Sequence, residues 1–200
     1  MIENCGGKIS IHGVEFMAKL KTPVVYVANH MSMLETMLLP GAIILAFQDV
    51  TTVVKKSLLS YPFFGKIMKA LEPISIARQN PVADFKEVLN KGTESLHRGQ
   101  SVLIFPQATR SIEFDPRNFN TLGLKLAKRA DVPIVPVALK TDFQKIGTIF
   151  RNFGRIDRNK IIYFKFGNPL MVGKNDRETH EKILRFIAEN LREWGGQVKG

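Results

Sequence analysis

The chain has a single cysteine, Cys5, among its 200 residues. That excludes an internal disulfide and any multi-cysteine metal site, and a reducing compartment is the simplest setting. It also lacks a long apolar run. The longest, Met37 to Phe47, is interrupted by Pro40 and Gly41 and closed by Gln48 and Asp49, well short of the roughly 20 residues a bilayer-spanning helix needs. Glu3 and Asn4 stand where a signal peptide carries bases, and no apolar stretch follows them. The chain is therefore expected to be soluble or membrane-peripheral. Glycine (15) and proline (10) are not enriched, and there is no internal repeat or low-complexity tract, which excludes collagen-like and disordered classes. Acids are the scarcer charge, 18 against 29 Lys and Arg, for a net charge of +11 spread along the chain without a polybasic tail. Such a surface suits nucleic acid, anionic lipid or phosphorylated small molecules.

Hydrophobic residues make up 44% of the chain, enough for the core of one domain across residues 1–200. Short apolar runs alternate with amphipathic stretches. Strands are expected at Lys8 to Val14, Pro23 to Ala28, Thr51 to Lys55, Ile74 to Ala77, Ser101 to Phe105, Ile134 to Leu139 and Lys160 to Phe166. Helices are expected at Met33 to Ala46 with a break or kink at Pro40-Gly41, and at Ser57 to Leu71, Val82 to His97, Leu122 to Ala130 and Asp176 to Trp194. Pro106 to Asn120 reads as an irregular loop. Strands separated by helices imply an α/β domain with a mixed, largely parallel sheet flanked by helices. In open α/β sheets ligands sit beyond the carboxyl ends of the strands, so the loops after Ala28 and after Phe105 should reach one cleft.

Those two loops hold the unusual polar residues. His30 follows a buried strand, and Glu35 comes five residues later. On a straight helix they would point about 140° apart, but with His30 in the loop and Glu35 in the first helical turn the carboxylate can orient the imidazole as a general base. Ser32-x-x-Glu35 is also a capping box ahead of an apolar run, by spacing the commoner use of such a pair. His30 alone is more often a structural histidine than a catalyst. In the second loop, Gln107-Ala108-Thr109-Arg110-Ser111 puts a guanidinium beside two hydroxyls, which suits a phosphate, although Arg110 alone reads as a surface residue. Lys55 and Arg78 each follow a strand and are suggestive only in that company.

Taken together, four blocks resemble the 1-acylglycerol-3-phosphate O-acyltransferase (lysophosphatidic acid acyltransferase) family of glycerolipid acyltransferases. Asn29-His30-x4-Glu35 is similar to the family's Asn-His-x4-Asp. Lys55-Lys56-Ser57-Leu58-Leu59 with Pro62-Phe63-Phe64-Gly65, closing at Ile76-Ala77-Arg78, resembles its second block. Phe105 to Ser111 is similar to Phe-Pro-Glu-Gly-Thr-Arg-Ser, and Val132 to Val137 to the fourth block. Ile9 to Glu15 fits the strand that precedes the catalytic block. The resemblance covers about residues 6 to 170.

The resemblance implies a glycerol-3-phosphate acyltransferase-like fold and an acyl transfer from acyl-CoA or acyl carrier protein to the free hydroxyl of a lysophospholipid. It implies no cofactor, no metal and no acyl-enzyme. His30 would be the base and Glu35 its orienting acid. Arg110, Thr109, Gln107, Arg78 and Lys55 would form the acceptor's anionic site. The family's frequent hydrophobic N-terminal segment is expected to be either absent or left out of this chain. Attachment to the cytoplasmic face of an anionic membrane would then rest on the basic surface and on Tyr61, Phe63, Phe64, Ile67 and Met68. Three departures bear on the acceptor: Glu35 for Asp, Gln107-Ala108 for Glu-Gly, and Asn120 where Lys is frequent. They leave open a catalytically weak or inactive lipid-binding member of the same fold. A nucleic-acid partner is not expected, because no recognition motif accompanies the charge.

Overall fold

The computed structural model describes residues 7–46, 48–61, 64–145, 147, 154–173 and 175–200. Seven strands form one sheet in the order β1-β8-β7-β2-β5-β3-β4, with β1 at Lys8–His12, β2 at Val25–Ala28, β3 at Val50–Lys55, β4 at Ile74–Ile76, β5 at Ser101–Ile104, β7 at Ile134–Lys140 and β8 at Ile161–Phe166. Strands β7, β2, β5, β3 and β4 are mutually parallel. β8 runs antiparallel to β7 and carries β1 parallel to itself. The expected mixed, largely parallel sheet is present.

Side-chain alternation along β2 divides the core in two. Val25 and Val27 pack with Val102, Ile104 and Ile134 beneath helices α4 (Pro81–His97), α5 (Leu122–Ala130) and α6 (Asp176–Glu193). Tyr26 and Ala28 face the other layer, where Leu39 and Ile43 of α2 (Leu34–Ala46) and Met17 of α1 (Val14–Met17) cover Val135, Val137 and Phe164. Because both faces are covered, β2, β5 and β7 are buried at every position, which is why they read as unbroken apolar runs rather than alternating ones. The stripe on α6 docks through Ile183, Ile187 and Leu191, while Trp194 stacks on Tyr163 at 5.0 Å.

Four sequence expectations are corrected. α2 is continuous through Pro40, so the break allowed for at Pro40-Gly41 does not occur. The missing N–H and ring clash cost on the order of 3 kcal/mol in a free helix, offset here by burial of Leu39, Pro40 and Ile43. The helix expected over Ser57 to Leu71 is two pieces, a 3-10 turn at Lys56–Ser60 and α3 at Phe64–Ala70. Tyr61 precedes Pro62 and is extended (φ −69°, ψ 134°), the conformation that a following proline enforces. Within Pro106 to Asn120, a short β6 (Glu113–Phe114) pairs with β9 (Gln197–Val198), and Phe114 and Phe119 are buried edge to face. Met68 is fully buried with Met33 and Val54. Adjacent helical residues lie about 100° apart, so exposing Ile67 buries Met68.

Candidate active site

Five parallel strands end on one edge of the sheet, and the polar loops follow those ends. His30 lies in the loop after β2, two residues past Ala28, and α2 begins at Leu34, so Glu35 sits in its first turn. His30 Nδ1 is 3.0 Å from Glu35 Oε1. The same oxygen accepts the Met31 N–H at 2.6 Å and the Ser32 N–H at 2.7 Å. Oε2 accepts the hydroxyls of Ser32 and Thr141, each at 2.6 Å. Glu35 is fully buried. Burial alone pushes a carboxyl upward, but the hydrogen bond and charge of His30, with the Ser32 and Thr141 hydroxyls, outweigh it and hold Glu35 below its ordinary value. Glu35 is thus ionised and saturated with donors. With Nδ1 donating to it, Nε2 of His30 carries the ring's lone pair. The imidazole stacks on Phe105 at 4.5 Å and keeps 15% of its surface open.

The β5 loop grips the main chain of the same histidine. Gln107 Oε1 accepts the His30 N–H at 2.7 Å, and the Ser111 N–H donates to the His30 carbonyl at 2.9 Å. Between them Thr109 is exposed and Arg110 half-buried. Arg78, past the end of β4, donates from Nη1 to the Ala108 carbonyl at 2.6 Å. Its backbone is left-handed, φ 59°, a conformation costing about 1–2 kcal/mol for a residue with a Cβ. Lys55 is exposed at the end of β3, two strands from β2 in the sheet order. The expected site residues therefore share one edge. His30, Glu35, Gln107 and the 108–111 backbone are in direct contact, Arg78 is tied to that loop, and Lys55 stands further along. Among the described residues, no group of three His, Cys, Asp or Glu is gathered to hold a metal ion.

Residues 8–140 match the sequence pattern of the family described as Acyltransferase. The chain belongs to the acyltransferase family. It is 35% identical over 133 residues to a 1-acyl-sn-glycerol-3-phosphate acyltransferase of Pseudomonas aeruginosa, covering 66% of this chain and 49% of that protein. A protein of the same name from Saccharomyces cerevisiae is 30% identical over 95% of this chain and 62% of its own length. One from Cocos nucifera is 29% identical over 91% and 55%. The chain thus spans about half the length of the first of these relatives. The crystal structure of the 1-acyl-sn-glycerophosphate (LPA) acyltransferase from Thermotoga maritima superposes with a TM-score of 0.71 at 18% identity, covering all of this chain and 80% of that one. This likeness fixes the acyltransferase fold.

Within this family frame the departures have structural readings. Gln107 is only 4% exposed, and its side-chain oxygen holds the His30 N–H. A glutamate oxygen is an acceptor of the same kind, so Gln107 supports His30 without the charge. Ala108 does not need glycine's freedom. Among described non-glycine residues the left-handed region holds Glu72, Arg78 and Asp131. Asn120 closes the loop, donating to the Pro106 carbonyl and accepting the Leu122 N–H at 2.9 Å.

Two contributors had no role assigned from sequence: Asn29, quoted in the catalytic block without one, and Thr141, not singled out at all. Asn29 bonds both the N–H and the carbonyl of Leu139, each at 2.8 Å, fastening the end of β2 to β7. Thr141 reaches Glu35 from across that junction. Thr141 follows the last residue of the buried strand β7, and its contact with Glu35 depends on β7 lying beside β2, which local spacing does not show.

Proposed function

We propose that the chain transfers a fatty acyl group from acyl-CoA or acyl carrier protein to the free hydroxyl of lysophosphatidic acid or a related lysophospholipid. The observation that carries the reading is the His30 imidazole held by a buried, ionised Glu35 on the same edge as Arg110, Arg78 and Lys55. The names of the relatives support the acceptor class. In this mechanism Nε2 of His30 takes the proton of the acceptor hydroxyl as its oxygen attacks the thioester carbonyl. The tetrahedral intermediate collapses with cleavage of the C–S bond, and the proton on His30 passes to the leaving thiolate. Glu35 holds the tautomer and stabilises the transient imidazolium. The acyl group passes directly to the acceptor, so the step needs no acyl-enzyme, metal or cofactor. Arg110, with Thr109, Arg78 and Lys55, receives the acceptor phosphate, where a guanidinium's forked donors fit best.

The working position is peripheral, on the cytoplasmic face of an anionic membrane. No helix among the described residues is long and apolar enough to cross a membrane, while Ile67 (52% exposed) and Tyr61 (39%) project beside exposed Lys56, Lys66 and Lys69. Phe63 and the Phe64 side chain, also expected at this surface, lie outside the described residues.

The test is thiol release from a long-chain acyl-CoA with lysophosphatidic acid in mixed micelles, for the native protein and His30→Ala. Losing a general base typically costs about 10²- to 10⁴-fold in rate. Turnover that collapses in the variant is the expected outcome. Silence of both proteins across several lysolipid acceptors and both donor types would refute the catalytic reading and leave a lipid-binding member of the fold.

A further inference from the structure

We infer that Thr141 is a positioning residue of the acyl-transfer reaction, completing from just past the end of β7 a hydroxyl clamp on Glu35 that fixes how Glu35 holds His30. The inference rests on the proposed role of His30 as base. It concerns a residue just beyond the family-matched segment of residues 8–140.

Glu35 Oε2 has two donors, and they arrive by different routes. Ser32 is three residues away in the same turn, and its hydroxyl also accepts the Leu34 N–H at 3.1 Å. That hydroxyl therefore belongs to the helix start. Thr141 comes from 106 residues further along the chain and is fully buried. The two hydroxyls lie 3.0 Å apart, so both donors of Oε2 are also within hydrogen-bond distance of each other.

The surroundings of Thr141 are built to hold it still. Before it, Leu139 is locked to Asn29, the residue adjoining His30. On either side, Lys140 and Asp142 form an ion pair at 3.0 Å, both only 10% exposed at the side chain, and Lys160 closes on Asp142 from the start of β8. After it, the Gln144 N–H caps the turn on the Thr141 carbonyl at 3.2 Å. The charged groups on the elements meeting here are His30 and Glu35 themselves, the Lys140–Asp142–Lys160 cluster, and Arg110 on the β5 loop. Buried charges carry a desolvation cost that surface pairs avoid. Their use at this turn is consistent with a requirement for position.

The chemical consequence follows from donor count. A hydroxyl donating to a carboxylate stabilises its ionised form. Remove it, and the carboxylate becomes the stronger base. The coupled pair then takes up its proton at higher pH, so the neutral imidazole required for catalysis persists only at higher pH. The reacting atoms and both substrates are untouched, so the loss should fall on kcat.

Thr141→Val removes the hydroxyl at nearly constant volume, and Thr141→Ser keeps it while removing the methyl. Hydrogen bonds to charged groups are worth enough to predict about a tenfold fall in kcat and an upward shift of the acid limb of kcat/KM by about one pH unit in Thr141→Val. KM for acyl donor and acceptor should stay near native, and Thr141→Ser should recover both rate and pH profile. A Thr141→Val enzyme with native kcat and acid limb, or a Thr141→Ser enzyme equally impaired, would overturn the inference. If Thr141→Val does not fold, Thr141→Cys substitutes a weak donor of similar size and is judged by the same shift. His30→Ala in the same assay separates the two readings. Activity surviving that change refutes the base, whereas a dead His30→Ala with an unaltered Thr141→Val refutes only the clamp.

Discussion

Glu35 performs two tasks with one carboxylate. Oε1 accepts the Ser32 N–H, the reciprocal bond of a capping box, and also faces His30 Nδ1. Cap and orienting acid, alternatives when judged by spacing, are the same group. This makes Glu35 a stability determinant with a defined pH signature. Its pKa is held below the ordinary 4.5, against the upward push of burial, by His30, Ser32 and Thr141. Its contribution to stability is therefore complete above about pH 4.5 and is lost as pH falls through the lower folded-state value. Glu35→Gln places an amide N–H₂ against donors and should cost about 1–3 kcal/mol near neutral pH, with acyl transfer falling as well. Urea midpoints measured from neutral to acid pH should show the gap between native and Glu35→Gln closing below pH 4.5. A gap that stays constant across that range would mean the carboxylate is not held as the geometry indicates. Residues such as His30 and Glu35 were legible in the sequence because local spacing brings them together. Thr141 was not legible, because its contact depends on which strand lies beside β2.

At the scale of elements, the helix α5 must sit close enough to β2 to bury Leu124 and Leu126. A Cβ on Gly123 would lie 2.3 Å from Val27 Cγ1. Val27 is β-branched, fully buried and three residues before His30, so it cannot swing aside as a long flexible chain would. Gly123→Ala is therefore expected to destabilise by about 1–3 kcal/mol despite alanine's better helix propensity. For a chain of this size that is a fall in Tm on the order of 5 °C. Calorimetry checks it, and kcat should fall too if β2 shifts under His30. An unchanged Tm would show that the α5–β2 contact yields easily. The central strands and long helices were readable because burial on two faces or one stripe leaves a clear pattern. The region from Ser57 to Leu71 was not. Its apolar content fits one helix, yet Pro62 forces Tyr61 into an extended conformation. Nor could two-residue strands 84 positions apart, Glu113 with Gln197, be found from local pattern.

At the scale of the whole molecule, the net charge of +11 acquires meaning from where the exposed bases meet exposed apolar groups. α3 buries Gly65 and Met68 and exposes Lys66, Ile67 and Lys69. The preceding 3-10 turn exposes Lys56 and leads to Tyr61. This arm follows β3, so it stands on the same sheet edge as His30. In the proposed peripheral reading, a lipid acceptor delivered from a membrane would enter there. Each Lys near an anionic surface adds about 1 kcal/mol of attraction, and salt screens it, with a Debye length near 10 Å at about 0.1 M. Vesicles containing phosphatidic acid should therefore pull the protein down at low salt and release it progressively as salt rises. Phosphatidylcholine vesicles should bind weakly throughout. Lys66→Glu with Lys69→Glu reverses two charges and should weaken sedimentation with anionic vesicles by at least about tenfold. Ile67→Glu should weaken it further by removing the apolar anchor. None of these side chains touches the His30 network, so turnover of a short-chain, micelle-free substrate should be preserved while turnover on vesicles falls. Binding that ignores salt and headgroup, or variants that bind as the native protein does, would refute the proposed membrane contact through this arm.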